Sequence, residues 1–173
     1  MSSLDQLYQQ IILDHAKYPH GRGLQAGEET SYQRNPVCGD EITLALRWDA
    51  PGSASSASSG GSGGSGGSAA SSCSLAGIGW EGAGCSISQA SASLLVTLVE
   101  ERRAEGPVTS SDLETAIAEF REAMRSRGTI ELDEERFGDA GALSGVSKYV
   151  ARVKCAMLAW VAAEDLLARR AAG

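Results

Sequence analysis

Asn35-Pro36-Val37-Cys38-Gly39-Asp40 runs directly into Glu41-Ile42-Thr43-Leu44-Ala45-Leu46-Arg47-Trp48, and this junction decides how the rest of the chain is read. In the second half, Ile42, Leu44 and Leu46 alternate with Thr43, Ala45 and Arg47. That period suits a half-buried strand, because successive side chains point to opposite faces. In the first half a thiol and a carboxylate flank Gly39. They turn toward one point only if the backbone bends tightly, and glycine permits the bend. Cys38 and Asp40 therefore sit on a loop just ahead of a strand, where a rigid scaffold commonly carries its chemistry. Cysteine sulfur suits zinc, copper(I) or iron-sulfur chemistry, whereas aspartate oxygen is harder and exchanges more readily. Cys85 and Cys155 could complete a set of three thiolates and one carboxylate, a tetrahedral zinc environment, if the fold brings them together. No Cys-x-x-Cys pair imposes that convergence by spacing.

Upstream, Leu4, Leu7, Tyr8, Ile11 and Ile12 recur at helical spacing between a Ser3 cap and the stop signals Pro19, Gly21 and Gly23. An amphipathic helix is expected from Leu4 to about Tyr18. His15 and His20 fall at or beyond its last turn, where the helix dipole favours a cation, and read as exposed helix-end histidines. A short extended segment over Glu29 to Arg34 rests on Thr30 and Tyr32.

Downstream, residues 51–74 collapse to Ser, Gly and Ala, which bury no apolar surface, so a flexible loop inserted between two strands is expected. Lengthening a hairpin turn from about four residues to about twenty costs only about 1.5 kcal/mol of closure entropy. Cys73 lies in this segment with nothing to fix its geometry and is not expected to be a constitutive ligand.

A short strand resumes at Leu75 to Glu81, followed by Gly82-Ala83-Gly84-Cys85-Ser86-Ile87-Ser88 and a helical pattern through Leu94, Leu95 and Leu98 to about Arg103. Cys85 thus stands at a helix N-terminus, where free amides and the dipole favour a thiolate. A small buried core cysteine is the simpler alternative. Beyond Gly106 and Pro107, a helix capped by Ser111 runs through Leu113, Ile117, Phe120 and Met124 to near Gly128. Residues 129–145 are mixed, with a short turn or helix around Asp139 to Leu143, and a last helix spans about Lys148 to Arg169. Arg152 and Cys155 share a face of it one turn apart. A cation there lowers the thiol pKa and orients an incoming anion; a surface ion pair is the simpler alternative.

With 173 residues the chain suits a single domain with its own core. Its net charge of -7 and lack of basic clusters argue against nucleic acid as partner. No apolar run is long enough to span a bilayer, and Met1-Ser2-Ser3-Leu4-Asp5 lacks the features of a signal peptide, so a cytoplasmic protein is expected. In that reducing compartment four cysteines read as metal ligands or reactive thiols rather than disulfides.

Three segments, Asn35 to Asp40, Gly82 to Ser93 and Leu143 to Cys155, together with Asp14-His15-Ala16-Lys17-Tyr18-Pro19, closely resemble the SufU branch of the IscU-like (NifU N-terminal) family of iron-sulfur cluster assembly proteins. The resemblance spans nearly the whole chain except the Ser/Gly run. It implies an α+β fold, a small antiparallel sheet of about three strands with helices packed on it. It implies that Cys38, Asp40, Cys85 and Cys155 ligate zinc, and that Cys38 accepts persulfide sulfur from a SufS-type cysteine desulfurase of the SUF machinery, with Arg152 in support. Lys154 stands where IscU-type scaffolds carry a histidine, and the Leu-Pro-Pro-Val-Lys chaperone motif is absent. These departures favour the zinc-dependent sulfurtransferase role over the alternative, a scaffold that assembles and transfers an iron-sulfur cluster.

Overall fold

The computed structural model describes residues 2–50 and 73–173, so the insertion expected over 51–74 lies outside the described residues apart from Cys73 and Ser74. In chain order the elements are α1 (Ser3–Lys17), β1 (Thr30–Arg34), β2 (Glu41–Trp48), β3 (Leu75–Ala83), α2 (Ser86–Glu105), α3 (Ser110–Arg125), α4 (Glu134–Phe137), a 3-10 helix (Gly138–Lys148) and α5 (Val150–Ala172). The three strands form one antiparallel sheet in the order β1-β2-β3. Helices cover it, giving the expected α+β architecture. β2 begins and ends at the residues its alternation marks, with Ile42 and Leu44 fully buried.

Register places the loop ends. Arg34 pairs with Glu41, and Glu41 pairs with Ala83 on the other side. The Asn35–Asp40 turn and the Gly84–Cys85 junction therefore emerge side by side at one end of the sheet. α5 packs across β1 and β2 and against α2, bringing its first turns over that same end.

The helices are pinned by small hydroxyls and one aromatic stack. Phe120 and Trp160 lie parallel with centroids 3.9 Å apart. Trp160 Nε1 donates to Ser91 Oγ at 3.0 Å, and Ser91 Oγ donates to the Ala156 carbonyl at 2.6 Å. A serine can be buried inside α2 because both of these bonds satisfy its hydroxyl. Truncating Phe120 to alanine would leave a cavity costing about 3–5 kcal/mol.

Several details differ from the sequence reading. Ser2, not Ser3, caps α1, closing a capping box with Asp5; Thr109, not Ser111, caps α3 in the same way with Asp112. Leu4 and Leu7 are exposed, and α1 instead packs through Ile11, Ile12 and Ala16. His15 is buried rather than exposed: its Nδ1 is 2.8 Å from Ser93 Oγ. Burial, then repulsion by His20, pulls its pKa below the usual histidine value, so desolvation overrides the helix dipole. The mixed stretch is more regular than expected, because its small residues, Ala140, Gly141, Ala142 and Ser144, tolerate the tight winding of a 3-10 helix. No helix among the described residues is long and apolar enough to cross a membrane.

Candidate metal centre

Gly39 has φ +78°, the left-handed conformation that a side chain disfavours, and so supplies the bend between Cys38 and Asp40. The bend is closed by two backbone hydrogen bonds, from the Asn35 amide to the Asp40 carbonyl and from the Gly39 amide to the Asn35 carbonyl, both 2.8 Å. As a result Cys38 sits at the exposed rim of the site, while Asp40 turns inward and is only 5% exposed.

Asp40 meets the start of α2. Its Oδ1 accepts the Cys85 amide hydrogen at 3.2 Å, so the carboxylate takes up one of the free donors of the helix N-terminus. A methyl group on Gly84 would lie 2.5 Å from Ser88 Oγ and 2.7 Å from Asp40 Cγ. Glycine is required there for the carboxylate to approach. Burial acts to raise the Asp40 pKa, but the adjacent Cys85 and Cys155 thiols, the Cys85 amide and the Ser88 hydroxyl outweigh it and hold the carboxyl below its usual range. Oδ2 is enclosed and has no partner in hydrogen-bonding geometry.

The third arm comes from α5. Cys155 is buried, with its Sγ 3.5 Å from Cys38 Sγ. Burial first, then the Cys38 thiol and the Asp40 carboxylate, push the Cys155 thiol far above its ordinary value. A divalent cation reverses that balance by favouring the thiolate. The ligand atoms of Cys38, Asp40 and Cys155 all lie within 4.8 Å of one another. Cys85 stands outside that tight set but at its border, with its backbone and thiol both against Asp40. The donor chemistry fits a zinc ion: thiolates with one carboxylate, gathered beside a buried carboxylate oxygen that lacks a partner.

Arg152 is exposed, one turn before Cys155, and has no ion pair or side-chain hydrogen bond among the described residues. It lines a groove of about 600 Å³ with Ser86 and Ile87 beyond Cys85, and with Tyr8, Ile12 and Tyr149. Cys73 is partly exposed and lies outside the tight set. The Asn35 side chain has a role that its sequence context announces only as a turn, Asn ahead of Pro: its Oδ1 accepts the Val37 amide and its Nδ2 donates to Cys155 Sγ at 3.6 Å.

Residues 7–79 and 74–156 match the family described as NifU-like N terminal domain. The zinc-dependent sulfurtransferase SufU of Bacillus subtilis (strain 168) is 33% identical, covering 99% of this chain and 97% of its own. The iron-sulfur cluster assembly scaffold protein IscU of Streptococcus pyogenes serotype M1 is 28% identical, covering 99% of this chain and 89% of its own. A crystal structure described as an iron-sulfur cluster assembly scaffold protein for the SUF system, from Fervidobacterium islandicum AW-1, superposes with a TM-score of 0.61 at 25% identity, covering 96% of this chain and 99% of that one. Fold, motif order and these likenesses agree, and the chain belongs to the NifU-like N-terminal domain family.

Proposed function

We propose that this protein serves iron-sulfur cluster assembly as a zinc-dependent sulfur acceptor, with Cys38 receiving sulfur from a SufS-type cysteine desulfurase. The observation that carries this reading is the inequality of two neighbouring thiols. Cys38 is exposed and Cys155 is buried, yet their sulfurs are 3.5 Å apart beside a buried carboxylate. Such a site holds with one thiol and reacts with the other. Similarity to a relative named a zinc-dependent sulfurtransferase supports it.

Cys38, Asp40, Cys85 and Cys155 would hold the zinc, whose positive charge would keep the thiols deprotonated at neutral pH. Cys38 is the nucleophile in this reading because it is the most exposed of the three proposed cysteine ligands, Cys85 being partly exposed and Cys155 buried. It attacks the outer sulfur of the donor persulfide: an S–S bond forms to Cys38, the donor S–S bond breaks, and the donor cysteine leaves as a thiolate with the electron pair. No oxidant or reductant is consumed. Asp40 keeps the site anionic and offers a harder, more exchangeable ligand than a thiolate. In this reading Arg152, exposed one turn from Cys155, steadies the incoming persulfide. The chain acts as one domain, 1–173, with 51–74 as an insertion, in the cytoplasm and with the SUF machinery.

A second reading, a scaffold for building and passing on an iron-sulfur cluster, is favoured by similarity to a relative named as such a scaffold. Metal analysis of the purified protein, joined to desulfurase turnover with and without it, separates the two. Stoichiometric zinc and faster turnover support the acceptor. A brown, sulfide-containing protein that leaves turnover unchanged supports the scaffold.

A further inference from the structure

Asn35 is 3% exposed and uses every polar group it has. Its backbone closes the ligand loop through Asp40 and Gly39. Its Oδ1 accepts the Val37 amide hydrogen at 3.1 Å, which fixes the orientation of the side-chain amide. Nδ2 is therefore the end that faces Cys155, donating to Sγ at 3.6 Å across 120 residues of chain. Cys38 has no equivalent donor: among the described residues its only hydrogen-bond contact is the Cys155 sulfur.

We propose that Asn35 is a positioning residue of the metal centre, whose side-chain hydrogen bond to Cys155 makes that cysteine the permanent ligand and leaves Cys38 the one that exchanges. This rests on the metal-centre reading given above. A hydrogen bond to a metal-bound thiolate spreads its negative charge and fixes its orientation, and such supporting partners commonly change metal affinity about 10–100-fold. A buried thiolate with a donor is easier to keep in place than an exposed one without. The same side chain ties the Cys38–Asp40 loop to α5, so the loop cannot shift without breaking this bond.

Asn35→Asp tests the assignment, because the carboxylate keeps an acceptor for the Val37 amide but removes the donor to Cys155. Both forms are loaded with cobalt(II), and zinc transfer from each to a competing chelator is timed. The expected result is a retained circular dichroism spectrum, thiolate-to-cobalt bands moved to lower energy, and zinc transfer faster by about 10–100-fold. Unchanged bands and transfer overturn the assignment and leave only a loop-shaping role. If the variant does not fold, NMR of the native sequence loaded with NMR-active cadmium decides. Coupling between the metal and an Asn35 Nδ2 proton supports the hydrogen bond, and its absence overturns it. A native protein that shows no thiolate-to-cobalt band at all overturns the metal-centre reading itself, an outcome distinct from failure of the Asn35 assignment alone.

Discussion

The sulfur atoms of Cys38 and Cys155 lie 3.5 Å apart although 117 residues of chain separate them, and only one of the two faces solvent. Their replacement by serine should therefore have different effects. Cys155→Ser is expected to weaken zinc binding by at least about tenfold, since it removes a buried thiolate from a set of few donors. Cys38→Ser is expected to stay folded and bind a desulfurase but to lose all stimulation of its turnover. Zinc stoichiometry and desulfurase assays on both variants check this. Full stimulation by Cys38→Ser contradicts the acceptor role.

Two glycines of the site should fail in different ways. At Gly39 a methyl group meets nothing within 4 Å, so Gly39→Ala suffers only from its φ of +78°, a cost of about 1–2 kcal/mol. Metal binding should survive. At Gly84 the methyl would press on Asp40 and Ser88, so Gly84→Ala should displace the carboxylate and weaken zinc binding by about tenfold or more with little change in helix content. Denaturant unfolding beside a chelator competition distinguishes the two.

Removing the metal should loosen the protein without unfolding it. The hydrophobic cluster built on Trp80, Leu94, Leu95, Phe120 and Trp160 is fully buried and contains none of the proposed ligands, although Cys155 is itself buried. Zinc bound at the proposed site would add stability by mass action, about 4 kcal/mol when free zinc exceeds Kd by roughly 1,000-fold. A chelated protein should keep its far-ultraviolet circular dichroism and melt at a lower temperature. Complete loss of helix on chelation would instead mark the zinc as structural.

His15 should make the metal-free protein sensitive to mild acid. Burial, followed by the nearby His20, lowers its pKa from 6.5, while Asp139 and Asp14 oppose the shift less strongly. The folded state thus binds fewer protons than the unfolded state. The stabilisation is complete above 6.5 and is lost as pH falls through the depressed folded value. In His15→Gln the slope of unfolding free energy against pH, between about 7 and about 5, should be shallower than in the native sequence. Equal slopes would contradict the assignment.

The sheet strands and the site motifs were legible because they depend on local chemistry. β2 follows from alternation, and the bend at Gly39 from the thiol and carboxylate it must gather. The elements that depend on distant partners were less legible. His15 looked exposed because nothing near it in sequence announces Ser93, and Leu4 and Leu7 looked like core because periodicity cannot say which turn of α1 meets another helix. The side-chain role of Asn35 was hidden for the same reason, since its partner is on α5. Convergence of Cys38 and Cys155 was readable only through the family resemblance. Their spacing carries no such information.

Mass spectrometry of this protein after brief incubation with a SufS-type desulfurase and cysteine tests the central claim most directly. The expected result is one added sulfur on the peptide carrying Cys38, with Cys85 and Cys155 unmodified and zinc still bound. Sulfur arriving on another cysteine, or none arriving while the desulfurase turns over, would contradict it.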